Sequence, residues 1–219
     1  MRLMLAVAVA TCGLAIAPSA RAVPGECPPF CDAIPDVAWI SPTAIPLHSV
    51  YHWPGLPGLA VTAPATKFGF EALCDSPPVA DDPRAYVVAE RAVVPNPAGQ
   101  WNLAVQVLHW RGPAAQGGPT AMSTLETARA RLRDCQATAP QASPSITTDL
   151  PQGIAAVISV SGDQVMHEYL LAHPASGSIV ELAMWSSLPP QVDWPAVPDA
   201  QVLEAMAAPL CNAYLGSCR

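Results

Sequence analysis

Between residues 101 and 110 the chain alternates, Trp101, Leu103, Val105 and Val107 pointing one way while Asn102, Ala104 and Gln106 point the other. A period of two is the mark of a strand that lays one face on a core. Strand-like runs also occur at 59–63, 68–73 and 85–94, and they return at 154–160, 164–172 and 178–186 after a polar, proline-containing loop over 140–151. In the last of these, Val180, Leu182 and Met184 alternate with Glu181 and Ala183. Pro95-Asn96-Pro97-Ala98-Gly99 has a turn composition and predicts a hairpin between 85–94 and 101–110. Ser161-Gly162-Asp163 and Pro174-Ala175-Ser176-Gly177 are tight connections that would fold the last three strands into an antiparallel meander.

Two segments change to a helical period. Leu125, Ala128, Leu132 and Cys135 predict a helix over about 124–136, announced by Ser123-Thr124-Leu125-Glu126, a capping box. The stretch 112–119, with Gly117-Gly118, is expected to end the strand block before it. Arg129, Arg131 and Arg133 read as a solvated helix surface with Glu126 and Asp134 nearby. A second helix is expected from Asp199, as N-cap, through Val202, Met206, Leu210 and Tyr214, with Pro209 a kink inside it. The order implies an α+β fold, a mostly antiparallel sheet with two helices packed on one face.

The N-terminus changes the picture from a bare domain to an exported one. Arg2 precedes an apolar stretch over 3–16, and Pro18-Ser19 break it before an Ala20-Arg21-Ala22 cleavage signal. That reads as a signal peptide over 1–22, with the mature chain starting at Val23. The stretch is shorter than the roughly 20 apolar residues of a membrane-spanning helix, so no stable membrane insertion is expected. Residues 23–58 form a proline-rich arm, too apolar at Trp39, Ile40, Leu47, Tyr51 and Trp53 to be a solvated tail, and expected to pack on the core. A single domain over 59–219 follows.

Removing the leader takes Cys12 and leaves six of the seven cysteines, at 27, 31, 74, 135, 211 and 218. An even number in an oxidising compartment reads as three disulfides. Cys74 with Cys135 is the preferred pair, joining a strand end to a helix end, while Cys27, Cys31, Cys211 and Cys218 cross-link or close locally. The whole chain carries a net charge of −7, and loss of Arg2 and Arg21 makes the mature form −9. Nucleic acid is therefore not an expected partner.

No catalytic, metal or nucleotide motif stands out, so no cofactor is expected. Ser161-Gly162-Asp163 reads as a turn before it reads as a nucleophile. His48 and His52 are four apart, but Pro46 and Pro54 argue against the helix that would make them metal ligands. His109-Trp110-Arg111 stands at a strand end, where such groups can line a pocket, although alternation sends His109 and Trp110 to opposite faces. Trp39 and Trp53 on the arm, and Trp194 between prolines, are candidates for an exposed apolar or carbohydrate-stacking surface. The candidate binding residues are thus Trp39, Trp53, His109 and Trp194.

The exported leader, the arginine-heavy composition, the cysteine count and the strand-helix-strand-helix order form one set of features. With Cys135 at a helix end and Cys211 and Cys218 at the terminus, they resemble small mycobacterial secreted cell-envelope proteins. From Leu59 onward the arrangement looks like the extracellular sensor domain of PknH-type kinases, and like LpqN-type envelope lipoproteins with a Mog1/PsbP-like sheet. The resemblance rests on topology and cysteine placement, and it transfers no functional residue. It implies a secreted or cell-wall-associated binding protein, without catalysis, for a small ligand, a glycan or a protein of the envelope. A secreted hydrolase using a Ser/His/Asp site is the alternative.

Overall fold

The alternating segments assemble into one sheet. A computed structural model of the chain describes residues 33–64, 66–214 and 217. The leader, the start of the arm and Cys27, Cys31 and Cys218 lie outside the described residues. The strands are β1 (Val61–Thr62), β2 (Val87–Val94), β3 (Asn102–Trp110), β4 (Ala142–Leu150), β5 (Gly153–Val160), β6 (Gln164–His173) and β7 (Ser178–Ser187). They lie in the order β1-β2-β3-β7-β6-β5-β4, every neighbouring pair antiparallel. The helices are α1 (His48–Tyr51), α2 (Gly69–Leu73), α3 (Ala114–Thr138) and α4 (Asp199–Ala213). The expected hairpin is β2–β3 and the expected meander is β5–β6–β7.

Both faces of the central strands are apolar, so each face needs a cover. Leu103, Val105, Val107, Tyr169, Val180 and Leu182 form one face, covered by the arm through Trp39, Ile45, Trp53 and Leu56 and by α4 through Val202, Leu203, Met206 and Leu210. Leu108, Ile154, Ile158, Leu170 and Ile179 form the other, covered by α3 through Ala121, Leu125, Ala128 and Leu132 and by Phe68 and Phe70. The two long helices therefore lie on opposite faces, not on one. Alternation names which residues share a face, but not which helix takes which side.

The arm is ordered without regular ladders, as its prolines require. It runs through 3-10 turns at Asp36–Ala38, Pro42–Ala44 and Pro57–Leu59 and the single turn α1. The Trp53 indole N–H donates to the Pro46 carbonyl at 2.8 Å, so this ring is buried with its one donor satisfied.

Five elements differ from their sequence patterns. The segment expected as a strand over 68–73 is α2, because the Glu71 carboxylate reaches back to accept from the Phe68 amide at 2.8 Å and closes a helical turn. Only Val61–Thr62 of the 59–63 run pairs, as β1. The loop expected over 140–151 is β4, an edge strand whose polar positions face solvent and whose Pro144 is tolerated for lack of a neighbour on one side. α3 starts at Ala114, and Ser123 lies within it, its hydroxyl donating to the Thr120 carbonyl rather than capping an end. Likewise Pro198 holds the N-cap position of α4, and the Asp199 carboxylate accepts from Thr148 and Tyr169 instead.

Gly117 and Gly118 are contact points inside α3, not a break before it. A Cβ at Gly118 would stand 2.4 Å from the Pro174 carbonyl oxygen, and one at Gly117 would stand 3.2 Å from the Gly177 Cα. The helix can approach the β6–β7 connection only with both side chains missing. At its other end Cys135 bonds to Cys74, just beyond α2, with a Cα–Cα distance of 4.7 Å and both cysteines buried. Cys211 is also disulfide-bonded.

Of the three arginines of α3, Arg133 is exposed as expected, whereas Arg129 and Arg131 are not part of a solvated face. Arg129 is buried, pairs with Glu126 and Asp149, and donates to the Leu150 carbonyl at 2.6 Å. Arg131 reaches Glu71 and the Pro77 carbonyl, and Arg133 pairs with Asp149 at 2.7 Å. They tie α3 to the edge of the sheet and to α2.

Glycine to alanine inside a helix ordinarily gains about 1 kcal/mol. Gly118→Ala should instead lose about 1–3 kcal/mol, because the Pro174 carbonyl is backbone and cannot swing aside. Urea unfolding reads the change as a lower midpoint at unchanged slope. A raised midpoint would refute the close-approach account.

Candidate functional site

α3 and α2 do not cover the whole of their face of the sheet. Beyond them three residues stand in register across β2, β3 and β7: Val93, Ala104 and Ala183. Adjacent alanines ringed by larger side chains leave a hollow. It is a recess of about 210 Å³ lined by Gly69, Arg91, Val93, Ala104, Gln164, Met166, Glu181, Ala183 and Trp185. Ala104 and Ala183 are its floor, and Met166, Val93 and Trp185 supply apolar walls.

Arg91, Gln164 and Glu181 supply the polar lining, and Gln106 and Glu168 are buried neighbours that are not part of it. Arg91, Gln106 and Glu181 occupy one row across β2, β3 and β7, and Glu168 lies diagonally beside Glu181, opposite Ala183. One Glu181 carboxylate oxygen accepts from the Gly69 amide. The other lies 3.6 Å from the Arg91 guanidinium, which also donates to the Lys67 carbonyl at 2.5 Å. Glu168 and Gln106 are 1% and 0% exposed, and among the described residues no donor is bonded to the Glu168 carboxylate and neither amide atom of Gln106 has a partner.

Two buried carboxyl groups on neighbouring strands cannot both ionise cheaply. Burial first, and then the charge of Glu181, push the Glu168 carboxyl well above its ordinary range. Burial also raises Glu181, against the Gly69 amide and Arg91, which favour its charge. Both shifts favour a pair that holds a proton over one that carries two charges, and the stronger push is on Glu168.

A balanced cluster adjoins it. Glu71, also buried, meets Arg84 at 2.6 Å and pairs with Arg131, while Asp82 takes Arg84 at 2.7 Å. Burial works against the Arg84 charge, but its hydrogen bonds to Glu71 and Asp82 outweigh that and raise its pKa. The guanidinium also lies over the Phe68 ring, 4.9 Å from its centre. A smaller hollow of about 80 Å³ beside these groups is lined by Glu71, Asp82, Arg84, Thr124, Thr127 and Arg131.

The residues singled out from sequence lie elsewhere. Trp39 and Trp53 are 5% and 3% exposed, which removes them as an exposed stacking surface, because both are anchors of the arm. Trp194 is half-buried, stacked on His167 with ring centres 3.6 Å apart, with Trp101 edge-on to it at 4.9 Å. His109 is buried, stacks on Tyr214 at 4.3 Å and meets the Ser178 hydroxyl through Nδ1 at 3.0 Å. Burial lowers its pKa to about 4, so it is neutral at pH 7. None of the four lines either hollow.

Two serine–histidine contacts occur among the described residues, Ser178 with His109 at 3.0 Å and Ser176 with His173 at 2.8 Å, and all four side chains are buried. Ser178 is fully buried, and no carboxylate hydrogen-bonds His109 among the described residues. Ser161 and Asp163 sit in an exposed turn. His48 and His52 have ring centres 6.0 Å apart, and no group of three metal-ligating side chains occurs among the described residues. Sequence reasoning missed Arg91, Gln106, Glu168, Glu181 and Trp185. The available signal was an acid inside each of two runs otherwise apolar enough to be buried on both faces.

Glu168→Gln tests the proton. A pKa raised by folding gives stability that is complete below the unfolded value, near 4.5, and is lost as pH rises toward the folded one. The variant should match the native chain near pH 4 and exceed it at pH 8 in chemical unfolding. A native chain that outlasts the variant at pH 8 would show that Glu168 is ionised and usefully paired.

Titration of His167 acts in the opposite sense. Burial lowers its pKa to about 4, so its stabilisation is present above pH 6.5 and is lost as pH falls through about 4. His167→Phe, which keeps an aromatic ring on Trp194, should flatten the acid limb of the stability profile, by about 1–3 kcal/mol at pH 4. An unchanged acid limb would rule this out.

No protein-family model matches the chain, and no curated protein matches it either.

Proposed function

We propose that the chain is a secreted, non-catalytic binding protein of the cell envelope or extracellular space, and that the recess over Ala104 and Ala183 holds its ligand. The observation that carries this reading is a concave, mostly apolar hollow with a few convergent polar groups, Arg91, Glu181 and Gln164. Export is supported by the leader-like first 22 residues and by the Cys74–Cys135 bridge, which suits an oxidising compartment. Placement in the envelope follows the resemblance to small mycobacterial envelope proteins. Catalysis is disfavoured because both Ser–His contacts among the described residues, Ser178 with His109 and Ser176 with His173, are buried. The partner is a small ligand, a glycan or a protein segment narrow enough to seat one group in about 210 Å³.

Ala104→Leu fills the floor of the recess from a strand that is otherwise unchanged. Saturable binding to fractionated envelope material should weaken more than tenfold in this variant, with circular dichroism and the unfolding midpoint nearly unaltered. Equal binding by variant and native chain, or no binding by the native chain to any fraction, would overturn the proposal.

A further inference from the structure

Among the described residues β4 has a neighbour on one side only, so the backbone groups along its outer side are open to pairing with another chain. Residues 137–148, which run through most of this strand, contain no charged side chain. Ser143, Ser145 and Thr147 are exposed, and Ile146 is half-buried. An exposed, uncharged edge that carries β-branched residues is a template for edge-to-edge association. The opposite edge of the sheet is blunt by comparison, because β1 is two residues long.

The hydrogen-bond phase of β4 decides which of its backbone groups face outward. The Ser161 amide donates to the Gln141 carbonyl at 2.9 Å, which sets Gln141 and Ser161 as a bonded pair at the end of the β4–β5 ladder. Bonded and non-bonded pairs alternate along an antiparallel ladder. In the register Ala142↔Val160, Ser143↔Ser159, Pro144↔Ile158, Ser145↔Val157 and Ile146↔Ala156, the backbones of Ser143 and Ser145 therefore point at β5, and those of Ala142, Pro144 and Ile146 point outward. The Ala142 amide is already spent on the Ala139 carbonyl at 2.9 Å. Pro144 has no N–H to offer. Between Ile146 and Thr148 the register shifts at a bulge, which bends the strand. Ile146 thus holds the single free outward donor between Ala142 and the bulge.

We propose that Pro144 keeps the β4 edge from pairing with the β4 edge of a second copy of this chain. A second copy is the fitting partner, because two identical edges laid antiparallel about a two-fold axis are self-complementary. With residue 144 of each copy opposite residue 146 of the other, every bonded pair would exchange an N–H from both positions, and proline removes half of those bonds. Its place costs the native ladder nothing, since an outward N–H has no partner in β5. A proline at 143 or 145 would instead take a bond from β5. Charged side chains are a common guard of such edges and are missing from this stretch, so the proline and the bulge carry the protection. The chain's net charge of −7 adds a repulsion between copies, which salt screens.

The test restores the donor with a residue suited to a strand, Pro144→Thr, in the full chain. Light scattering after size exclusion, run over a range of concentrations in screening salt, should show the mass of the variant rising about twofold above that of the native chain. Amide hydrogen exchange locates the contact. In the native chain the Ile146 amide should exchange freely while those of Ser143 and Ser145 are protected by β5, and in the associated variant Ile146 should slow by at least about tenfold. Pro144→Ala restores the same N–H with the smallest new side chain and should associate in the same way, which keeps the test open if threonine disturbs the fold.

A folded variant that keeps the native mass at every concentration would overturn the proposal. Association that leaves the Ile146 amide exchanging as fast as before would do the same, because the contact would then lie elsewhere. The native chain supplies a check that needs no variant: an Ile146 amide as protected as those of Ser143 and Ser145 would mean that the edge is already engaged and that Pro144 guards nothing.

Discussion

Glu168 and Glu181 stand on neighbouring strands in the middle of a sheet covered on both faces, and much of what lies above them answers to that placement. An ionised carboxylate moved out of water without a partner is so costly that it takes up a proton instead. Here the Gly69 amide and Arg91 favour charge on Glu181, while burial and the neighbouring carboxyl push Glu168 well above its ordinary range. Both arrangements require the start of α2 to stay where it is. A helix of five residues has no stability of its own. It is held by the Cys74–Cys135 bridge to α3, by the Glu71 contacts with Arg84 and Arg131, and by Phe68 and Phe70 in the core. In the chain-entropy account a bridge closing a loop of this size, with 61 residues of separation, contributes about 4 kcal/mol. That is a large share of the stability of an ordinary domain.

The two faces solve their burial differently. The arm has no ladder to offer, so it attaches by anchors, Trp39, Ile45, Trp53 and Leu56, while α4 closes the rest of that face. The result is a continuous apolar layer, in which His109 and His167 are held neutral by burial. The opposite face carries the charged groups. α3 approaches closely through Gly117 and Gly118 and covers one end, and the alanine floor at the other end is left open. Tryptophans that looked like a binding surface are structural because the arm needs them. The buried carboxyl groups Glu71, Glu168 and Glu181 lie on the face the arm does not touch.

The fold was legible where period and punctuation agreed. The 101–110 strand, its hairpin with 85–94 and the closing meander follow from alternation bounded by Pro, Gly, Ser and Asn, and Cys74–Cys135 followed from two element ends in one domain. The failures have separate physical causes. A side chain reaching back to its own backbone, Glu71 to Phe68, makes a helix out of a strand-like pattern. An edge strand such as β4 needs an apolar residue only at alternate positions and so resembles a loop. Glycines in α3 serve a neighbour distant in sequence, Pro174, and look like a break when only local preference is considered. The site was the least legible part. Glu168 and Glu181 are 13 positions apart, and their proximity exists only through the β6–β7 register.

The same register explains why the recess persists rather than closing. α2 could spread over the alanine floor only by sliding along the sheet, and Gly69 prevents it. A Cβ there would stand 3.3 Å from the Glu181 carboxylate and 3.6 Å from the Ala183 Cβ, so α2 already touches the sheet as closely as a residue without a side chain permits. Moving it would strip the Gly69 amide from Glu181 and leave a second carboxyl without support. The hollow is therefore bounded by the contact that makes the acid pair tolerable.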